Sequence, residues 1–352
     1  MKQFRIIAFI LLVMSLPSCV ERHVSVTASG NAFAAYFSVH EDDTLKSIVT
    51  LSPYGDRTDT LAVDGPFERI VCLSSSHVAA LSIIGASEAV CGVSGLKFIT
   101  DTSIRNRRVP DVGPDTALDY ETILSLKPDL LVTYAVTGTV PPYIDKLRGL
   151  GVRTLVLHDH LENHPLARAE YIRLFGALTG RQEYADSVFS SIRDRYLMLA
   201  SAARGGRAVK VLVNFPYGDA WYVPGGESYM SKLVADAGGE VLGAEPGKTA
   251  SSVISLEEAY IYSLEADMWL NPGPCRTRSE IMAFHPMLQR FGPIAADLPI
   301  YNNIRCVNAG GGNDFWERGA VRPDLVLEDL VSIFAVAGGA EKEDSLHFHV
   351  GM

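Results

Sequence analysis

Residues 165–204 read PLARAEYIRLFGALTGRQEYADSVFSSIRDRYLMLASAAR. Apolar side chains recur at Ile172, Phe175 and Leu178, then at Ala185, Val188, Phe189, Ile192, Tyr196 and Leu199. That is the i, i+3, i+4, i+7 spacing of an amphipathic helix. Asn163 is placed to cap its start, with Pro165 in the first turn, where a missing N–H costs nothing. Gly180 divides the stretch in two. The second piece, about 23 residues from Arg181, would run about 35 Å at 1.5 Å per residue. Gly205–Gly206 ends it. A helix of that length reads as a strut between whatever lies on its two sides.

Both sides alternate short apolar runs with helical segments. Before the strut, strands are expected at Arg69–Leu73, Ala89–Val93, Asp129–Thr133 and Arg153–Leu157, with Tyr143–Gly149 helical. After it, strands are expected at Val209–Asn214, Asp267–Leu270 and Arg305–Val307, with helices over Gly226–Ala237 and from about Pro323 to Ala337. Strands separated by helices favour parallel pairing with right-handed crossovers. The two sides also echo each other. Asp119-Tyr-Glu121, a helix and Asp129-Leu-Leu-Val stand against Ser255-Leu-Glu257, a helix and Asp267-Met-Trp-Leu. Ser255 with Glu258 forms a capping box. The expected fold is therefore α/β, two Rossmann-like lobes with mainly parallel sheets joined by one long backbone helix. Boundaries follow: a signal segment over 1–19, a tether and small strand-rich extension over 20–67, an N-terminal lobe over 68–164, the helical connection over 165–205, a C-terminal lobe over 206–338, and a loose tail over 339–352. In the extension, β character is expected over Ala32–Val39 and Ser47–Leu51.

The 352 residues allow two domains and a sizeable core. A net charge of −10 argues against a nucleic-acid partner, which wants a basic face. At the N-terminus, Lys2 and Arg5 precede an apolar run, Ile6 to Met14, too short to span a bilayer. The run ends Leu16-Pro-Ser-Cys19 and resembles a bacterial lipoprotein signal, cut before a Cys19 that carries lipid. Either that or an ordinary secretory signal puts the mature chain outside the cytoplasm. Cys72, Cys91, Cys275 and Cys306 remain, without C-x-x-C spacing, and read as buried thiols, with disulfides left open.

Several segments suggest chemistry. Gly243-Ala-Glu-Pro-Gly247-Lys-Thr249 has three residues between its glycines where a phosphate loop needs four, which excludes it. His158-Asp-His160 with His164 reads as a polar loop rather than a metal site, and His347 and His349 as solvated tail. Ser75, Ser76 and His77 stand at a strand-to-helix turn without a nucleophile motif. The start of that helix offers free N–H groups to an anionic ligand. Tyr217–Gly226, with Trp221 and Tyr222, and Gly310–Glu317, with Asn313, Phe315 and Trp316, read as aromatic, glycine-flanked loops. Both would fall at one end of the second lobe's sheet, where open α/β sheets bind ligands.

With these residues in hand, the chain resembles the substrate-binding lipoproteins of ABC importers for iron–siderophore, haem and cobalamin, over about residues 68–335. Arg69-Ile-Val-Cys-Leu-Ser74, Gly92-Val-Ser94, Val112-Gly113, Glu121 to Leu130 and Gly149-Leu-Gly151 match the first-lobe pattern. Trp221-Tyr222-x-Pro-Gly-Gly226, Asp236-Ala-Gly-Gly239 and Gly312-Asn-Asp-Phe-Trp-Glu317 look like an iron-complex branch. One departure is Val78-Ala-Ala80, apolar where the family often has an acidic residue. The resemblance implies a non-enzymatic, monomeric, lipid-anchored receptor on the periplasmic side of a bacterial membrane. It would hold an iron chelate between its lobes, with no metal ligand of its own and no nucleic-acid partner. Expected contacts are Ser75, His77, Tyr134, Trp221, Tyr222, Arg276, Asn313, Phe315 and Trp316. Glu121 and Glu257 would dock an ABC permease dimer. Cobalamin, then a free metal, then an extracytoplasmic hydrolase or chelatase, stand as alternatives.

Overall fold

The computed structural model describes residues 30–41, 46–53, 57–135, 139–340 and 345–352. The signal segment and Cys19 lie outside the described residues. The chain begins with an antiparallel meander of β1 (Phe37–Glu41), β2 (Lys46–Leu51) and β3 (Arg57–Val63). This extension was expected to stand apart; instead it is fastened to the lobe that follows. The N–H groups of Ala32, Phe33 and Ala34 donate to the Glu170 carboxylate at 2.9, 2.8 and 2.8 Å. Those of Ala35 and Tyr36 donate to Glu162 at 2.9 and 3.0 Å. Phe37 is buried 4.6 Å, centroid to centroid, from Tyr171. Backbone N–H groups with no strand to pair with have found two buried carboxylates, which satisfies both sides.

The first lobe comprises β4 (Ile70–Cys72), α1 (Ser75–Ile83), β5 (Val90–Val93), α2 (Thr102–Asn106), α3 (Tyr120–Ser125), β6 (Leu130–Tyr134), α4 (Tyr143–Gly149) and β7 (Thr154–Leu157). Its strands pair in parallel in the order β5-β4-β6-β7. They are short and almost wholly buried, as strands covered on both faces must be, so they read as unbroken apolar runs.

The connection is α5 (Pro165–Leu178) and α6 (Gln182–Ala202), broken at Gly180, whose φ of 69° suits a residue without Cβ. His164, not Asn163, caps α5: its ring nitrogen accepts the Leu166 N–H at 3.0 Å. At 21 residues, α6 is about 31 Å long. Its first half packs on α5, with Ala185 against Gly176, and Phe189 lies 6.4 Å from Phe33 ahead of the meander. Its second half reaches the second lobe, where the Tyr196 hydroxyl donates to Asp236 at 2.7 Å.

The second lobe runs β8 (Val209–Val213), β9 (Ala220–Val223), α7 (Tyr229–Asp236), β10 (Gly239–Val241), β11 (Ser252–Ser255), α8 (Leu256–Ser263), β12 (Met268–Leu270), α9 (Arg278–Phe284), α10 (Gly292–Ala295), β13 (Ile300–Asn302), α11 (Arg318–Val321), α12 (Pro323–Ala337) and β14 (Val350–Gly351). Its main sheet is ordered β10-β8-β12-β13-β14, parallel except for β14. The first four strands repeat the first lobe's order, so the echo in sequence is an echo in topology. One large apolar cluster runs from β4 and β6 through α5, α6 and α12 to β8 and β12, so the lobes share a core.

Three expectations are corrected. The fourth parallel strand is Ile300–Asn302; Arg305–Val307 lies beyond it, touching Asn313 only through a single bridge at Val307. Tyr217–Gly226 is not a loop throughout, because β9 within it pairs antiparallel with β11. The tail is not loose over its described residues 345–352. Asp329 accepts the N–H groups of His347 and Phe348 at 2.7 and 2.8 Å, Phe348 is buried, and β14 extends the sheet. His349, expected in solvent, is buried with its Nδ1 2.8 Å from Asp329. His347 is likewise held, its Nε2 2.7 Å from Glu328.

Candidate functional site in the second lobe's strand ends

Three of the four parallel strands of the second lobe end in asparagines. Asn214 follows β8, Asn271 follows β12, and Asn302 closes β13 ahead of Asn303. Asn214 and Asn271 take left-handed backbone conformations, φ 74° and 58°, which Asn tolerates better than other side chains. Each stands where the chain turns at the strand end. The Asn214 amide donates to the Tyr222 carbonyl at 2.8 Å. The Asn302 amide donates to the carbonyls of Gly273 and Cys275 at 2.9 and 2.8 Å, fixing the turn that carries Arg276. The Asn313 amide donates to the Asn303 carbonyl at 2.9 Å.

Around these turns lies a cavity of about 670 Å³, with Phe215, Tyr222, Met230 and Trp316 as apolar walls. Arg276 is its one charged lining residue, exposed and with no ion-pair partner among the described residues. Asn271 is 8% exposed, and its Oδ1 has no hydrogen-bond partner. A second cavity of about 570 Å³ lies where the lobes meet, lined by Asp101, Asp314, Glu317, Arg318 and Arg322 among others. Its charges are already used: Asp101 caps α2, Arg318 holds Asp314, and Arg322 holds Asp324. Polar groups left without partners mark where a ligand is wanted. The second cavity also holds such a group, the Ser82 hydroxyl, but its charges are all engaged, so the Asn-lined cavity, with Arg276 unpaired among the described residues, is the candidate site.

Four of the nine expected contacts, Tyr222, Arg276, Asn313 and Trp316, line this cavity. Trp221 does not: it is fully buried, donates its indole N–H to the Val213 carbonyl at 2.9 Å, and lies 5.7 Å from both Trp269 and Phe291. Successive strand residues face opposite ways, so β9 sends Trp221 into the core and Tyr222, 43% exposed, to the cavity. Phe315 is also core, edge-on to Phe348 and His349, while Trp316 beside it is 53% exposed. Asn214, Asn271, Asn302 and Asn303 were not among the expected contacts, although Asn214 and Asn271 directly follow apolar strands, Val-Leu-Val-Asn214 and Met-Trp-Leu-Asn271.

In the first lobe, Ser74 takes the cap position of α1 but its hydroxyl lies 2.8 Å from that of Ser76 instead of capping a helix N–H. No acidic residue stands in the first turn, and Ser75 is half-buried there. His77 is not a surface contact. It is buried, with Nε2 3.5 Å from Asp159, whose other oxygen accepts from the Ser76 hydroxyl at 3.2 Å. Burial opposes charge on Asp159, but His77, His160 and Arg168 outweigh it and hold the carboxyl well below its usual range. Ser76, His77 and Asp159 do not form a nucleophilic triad, because Asp159 bridges the other two and all three are buried. Tyr134, half-buried at the end of β6, faces His160 at 5.7 Å, and burial followed by Asp115 raises its phenol pKa. Among the described residues no three His, Cys, Asp or Glu side chains are grouped to hold a metal ion. The four cysteines among the described residues are free thiols, Cys72 and Cys275 buried.

Glu121 and Glu257 are both exposed, in the first turns of α3 and α8. Asp119 accepts the Thr122 N–H at 2.9 Å and Ser255 the Glu258 N–H at 3.1 Å, so the two helix starts are built alike.

Two α/β lobes on one helical connection, with a cavity where the second lobe's strands end, define a solute-binding protein rather than an enzyme. The chain belongs to the periplasmic binding protein family, whose model matches residues 70–291, in its class III branch. An uncharacterized lipoprotein of Methanocaldococcus jannaschii is 24% identical over 289 residues, covering 77% of this chain and 66% of that relative, just under two thirds of its length. Among solved structures, the apo haem-binding protein RhuT of Roseiflexus sp. RS-1 matches with a TM-score of 0.61 and 21% identity, covering 78% of this chain and 99% of that one. The vitamin B12 binding protein BtuF of Vibrio cholerae matches at 0.58 and 16%, with the same coverage of 78% and 99%. An Fe3+-hydroxamate transport protein of Saccharomonospora viridis matches at 0.57 and 21%, covering 78% and 96%. At these identities the likeness is one of fold.

Proposed function

We propose that the protein is the extracytoplasmic receptor of an ABC importer, that it takes an iron chelate, a siderophore or haem, between its lobes, and that it hands this ligand to a permease dimer. The cavity chemistry carries this reading. Tyr222, Phe215 and Trp316 offer flat apolar faces, and Arg276 is an uncompensated cation in a protein of net charge −10. That combination suits a ligand with aromatic or conjugated surface and negative charge. In the first lobe, the α1 start presents helix N–H groups without a side-chain cap, a second favourable place for an anion. Iron arrives inside its chelator, so the protein supplies shape and charge and no metal ligand. Cys19 carries the lipid that keeps the receptor at the membrane.

The test is a binding screen of the mature domain by intrinsic tryptophan fluorescence. Ferric catecholate and hydroxamate siderophores, haem, cobalamin and free Mn2+, Zn2+ and Fe3+ are compared. Micromolar or tighter binding of an iron chelate, with none of free metal, is expected. Preference for a bare ion, or for cobalamin over every iron chelate, overturns the ligand assignment.

A further inference from the structure

The segment that carries Asn313 and Trp316 does more than line a cavity. It is pressed against the first lobe along the stretch after β5. A Cβ on Gly310 would collide with the Lys97 carbonyl oxygen, and one on Gly312 with that of Phe98, so glycine is what lets the two backbones meet. The Asn308 amide donates to the Ile99 carbonyl at 2.8 Å, and the Thr100 hydroxyl donates to Asp314 at 3.0 Å. Glu317 completes the seam. Its carboxylate accepts the consecutive main-chain N–H groups of Thr100 and Asp101 at 2.7 and 2.8 Å, and the residue is 2% exposed. Without Glu317 those two donors would be orphaned where the lobes meet.

We propose that Glu317 is a positioning residue for ligand capture: it latches the second lobe's cavity segment onto the first lobe and so sets the separation of the two halves of the site. This rests on the inter-lobe ligand site proposed above. Glu317 touches no ligand itself; it acts through Asn313 and Trp316, four and one residues upstream on the same stretch as the glycines.

The charged groups around Glu317 are Asp101 from the first lobe and Asp314, Arg318 and Arg322 from the second. Arg318 is engaged with Asp314 at 2.8 Å and Arg322 with Asp324 at 2.8 and 2.7 Å, and neither pairs with Glu317. Burial, with Asp314 adding repulsion, pushes the Glu317 carboxyl up to about 7, against the donated N–H groups. A released Glu317 would sit in water near its ordinary 4.5. The latched form therefore holds a proton more tightly, and rising pH across this window favours release. Ligand affinity should weaken between pH 5.5 and 8.

The test uses the mature protein, Glu317→Gln, Glu317→Ala and Gly312→Ala, with two readouts. Hydrogen exchange at the Thr100 and Asp101 amides needs no ligand. Affinity for the tightest-binding ferric chelate of the screen is measured at pH 5.5 and 8. Glu317→Ala and Gly312→Ala should speed exchange at both amides by about tenfold or more and weaken chelate binding. Glu317→Gln, which keeps the shape and one acceptor but cannot ionise, should bind with a flattened pH profile. Gly312→Ala leaves the carboxylate intact and separates the loops by its methyl, so a folding failure of Glu317→Ala leaves the question decidable. Unchanged amide protection in Gly312→Ala overturns the latch. Lost protection with wild-type affinity and pH profile overturns its role in capture. If the unsubstituted protein binds no chelate, the ligand assignment falls, and the role in capture falls with it.

Discussion

Trp221 and Trp316 show how one residue type divides between two jobs. Trp221 fills the core against Trp269 and Phe291, so Trp221→Ala should cost about 3–5 kcal/mol of stability, the range for truncating a large buried aromatic. Thermal or urea unfolding measures this; a wild-type midpoint would contradict the packing described. Trp316→Ala removes an exposed ring at the cavity and should leave stability near wild type while weakening ligand by about 2 kcal/mol. Arg276→Gln should weaken an anionic ferric chelate by about tenfold or more and a neutral ferric hydroxamate much less. Equal losses for both ligands would show that Arg276 contributes shape rather than charge. The sequence put Trp221 and Tyr222 on one footing because aromatics flanked by glycine look alike in a loop. Only the pairing of β9 with β11 assigns one ring to each face. His77 and Phe315 were misjudged for a related reason: burial by distant partners, Asp159 and Phe348, is not written in local spacing.

Elements were far more legible than side-chain directions. The parallel strands were placed within about a residue of their observed limits because runs buried on both faces are continuous in apolar character. The two parallel strands missed, Gly239–Val241 and Ile300–Asn302, are three residues long each and lack that run. Matched elements also carry a prediction. α3 and α8 each present an exposed Glu one step inside a capped start, at equivalent points of lobes with the same strand order. A two-fold permease would meet one on each side. Single surface ion pairs are weak, so the double variant Glu121→Ala/Glu257→Ala is the informative one. It should retain ligand affinity and thermal midpoint yet lose transport and permease binding; normal uptake would leave both residues as helix-start carboxylates. The C-terminal strand is an element that polar composition hid. Removing residues 345–352 uncovers Asp329 and takes Phe348 out of the core, and should lower the urea midpoint markedly.

At the scale of the whole molecule, opposing carboxyl groups set the pH response. Burial raises Glu162 and Glu317 to about 7. The fold binds those protons more tightly than the unfolded chain does, so their contribution is full below about pH 4.5 and is lost as pH rises toward 7. At about 1.4 kcal/mol per unit, each accounts for at most about 3 kcal/mol. Asp159 and Asp329 are depressed despite burial, so their contribution is present above the ordinary aspartate range and lost in stronger acid. Stability should therefore peak near about pH 4 to 4.5, and Glu162→Gln/Glu317→Gln should flatten the decline above it. A midpoint that rises steadily from pH 5 to 8 would contradict the environments of both glutamates.

The chain passes between the lobes through α5 and α6, and α6 packs against both α5 and α12. A rod held by two helices gives no hinge, which has a kinetic meaning. Binding should proceed at encounter, with observed rates rising linearly with chelate concentration and an association constant in the ordinary range of about 10⁵–10⁷ M⁻¹s⁻¹. A plateau in stopped-flow traces would instead reveal a slow closing step. With little conformational freedom to surrender, occupancy leaves the radius of gyration almost unchanged, and a loaded receptor lets go chiefly when something outside it pries the two halves apart.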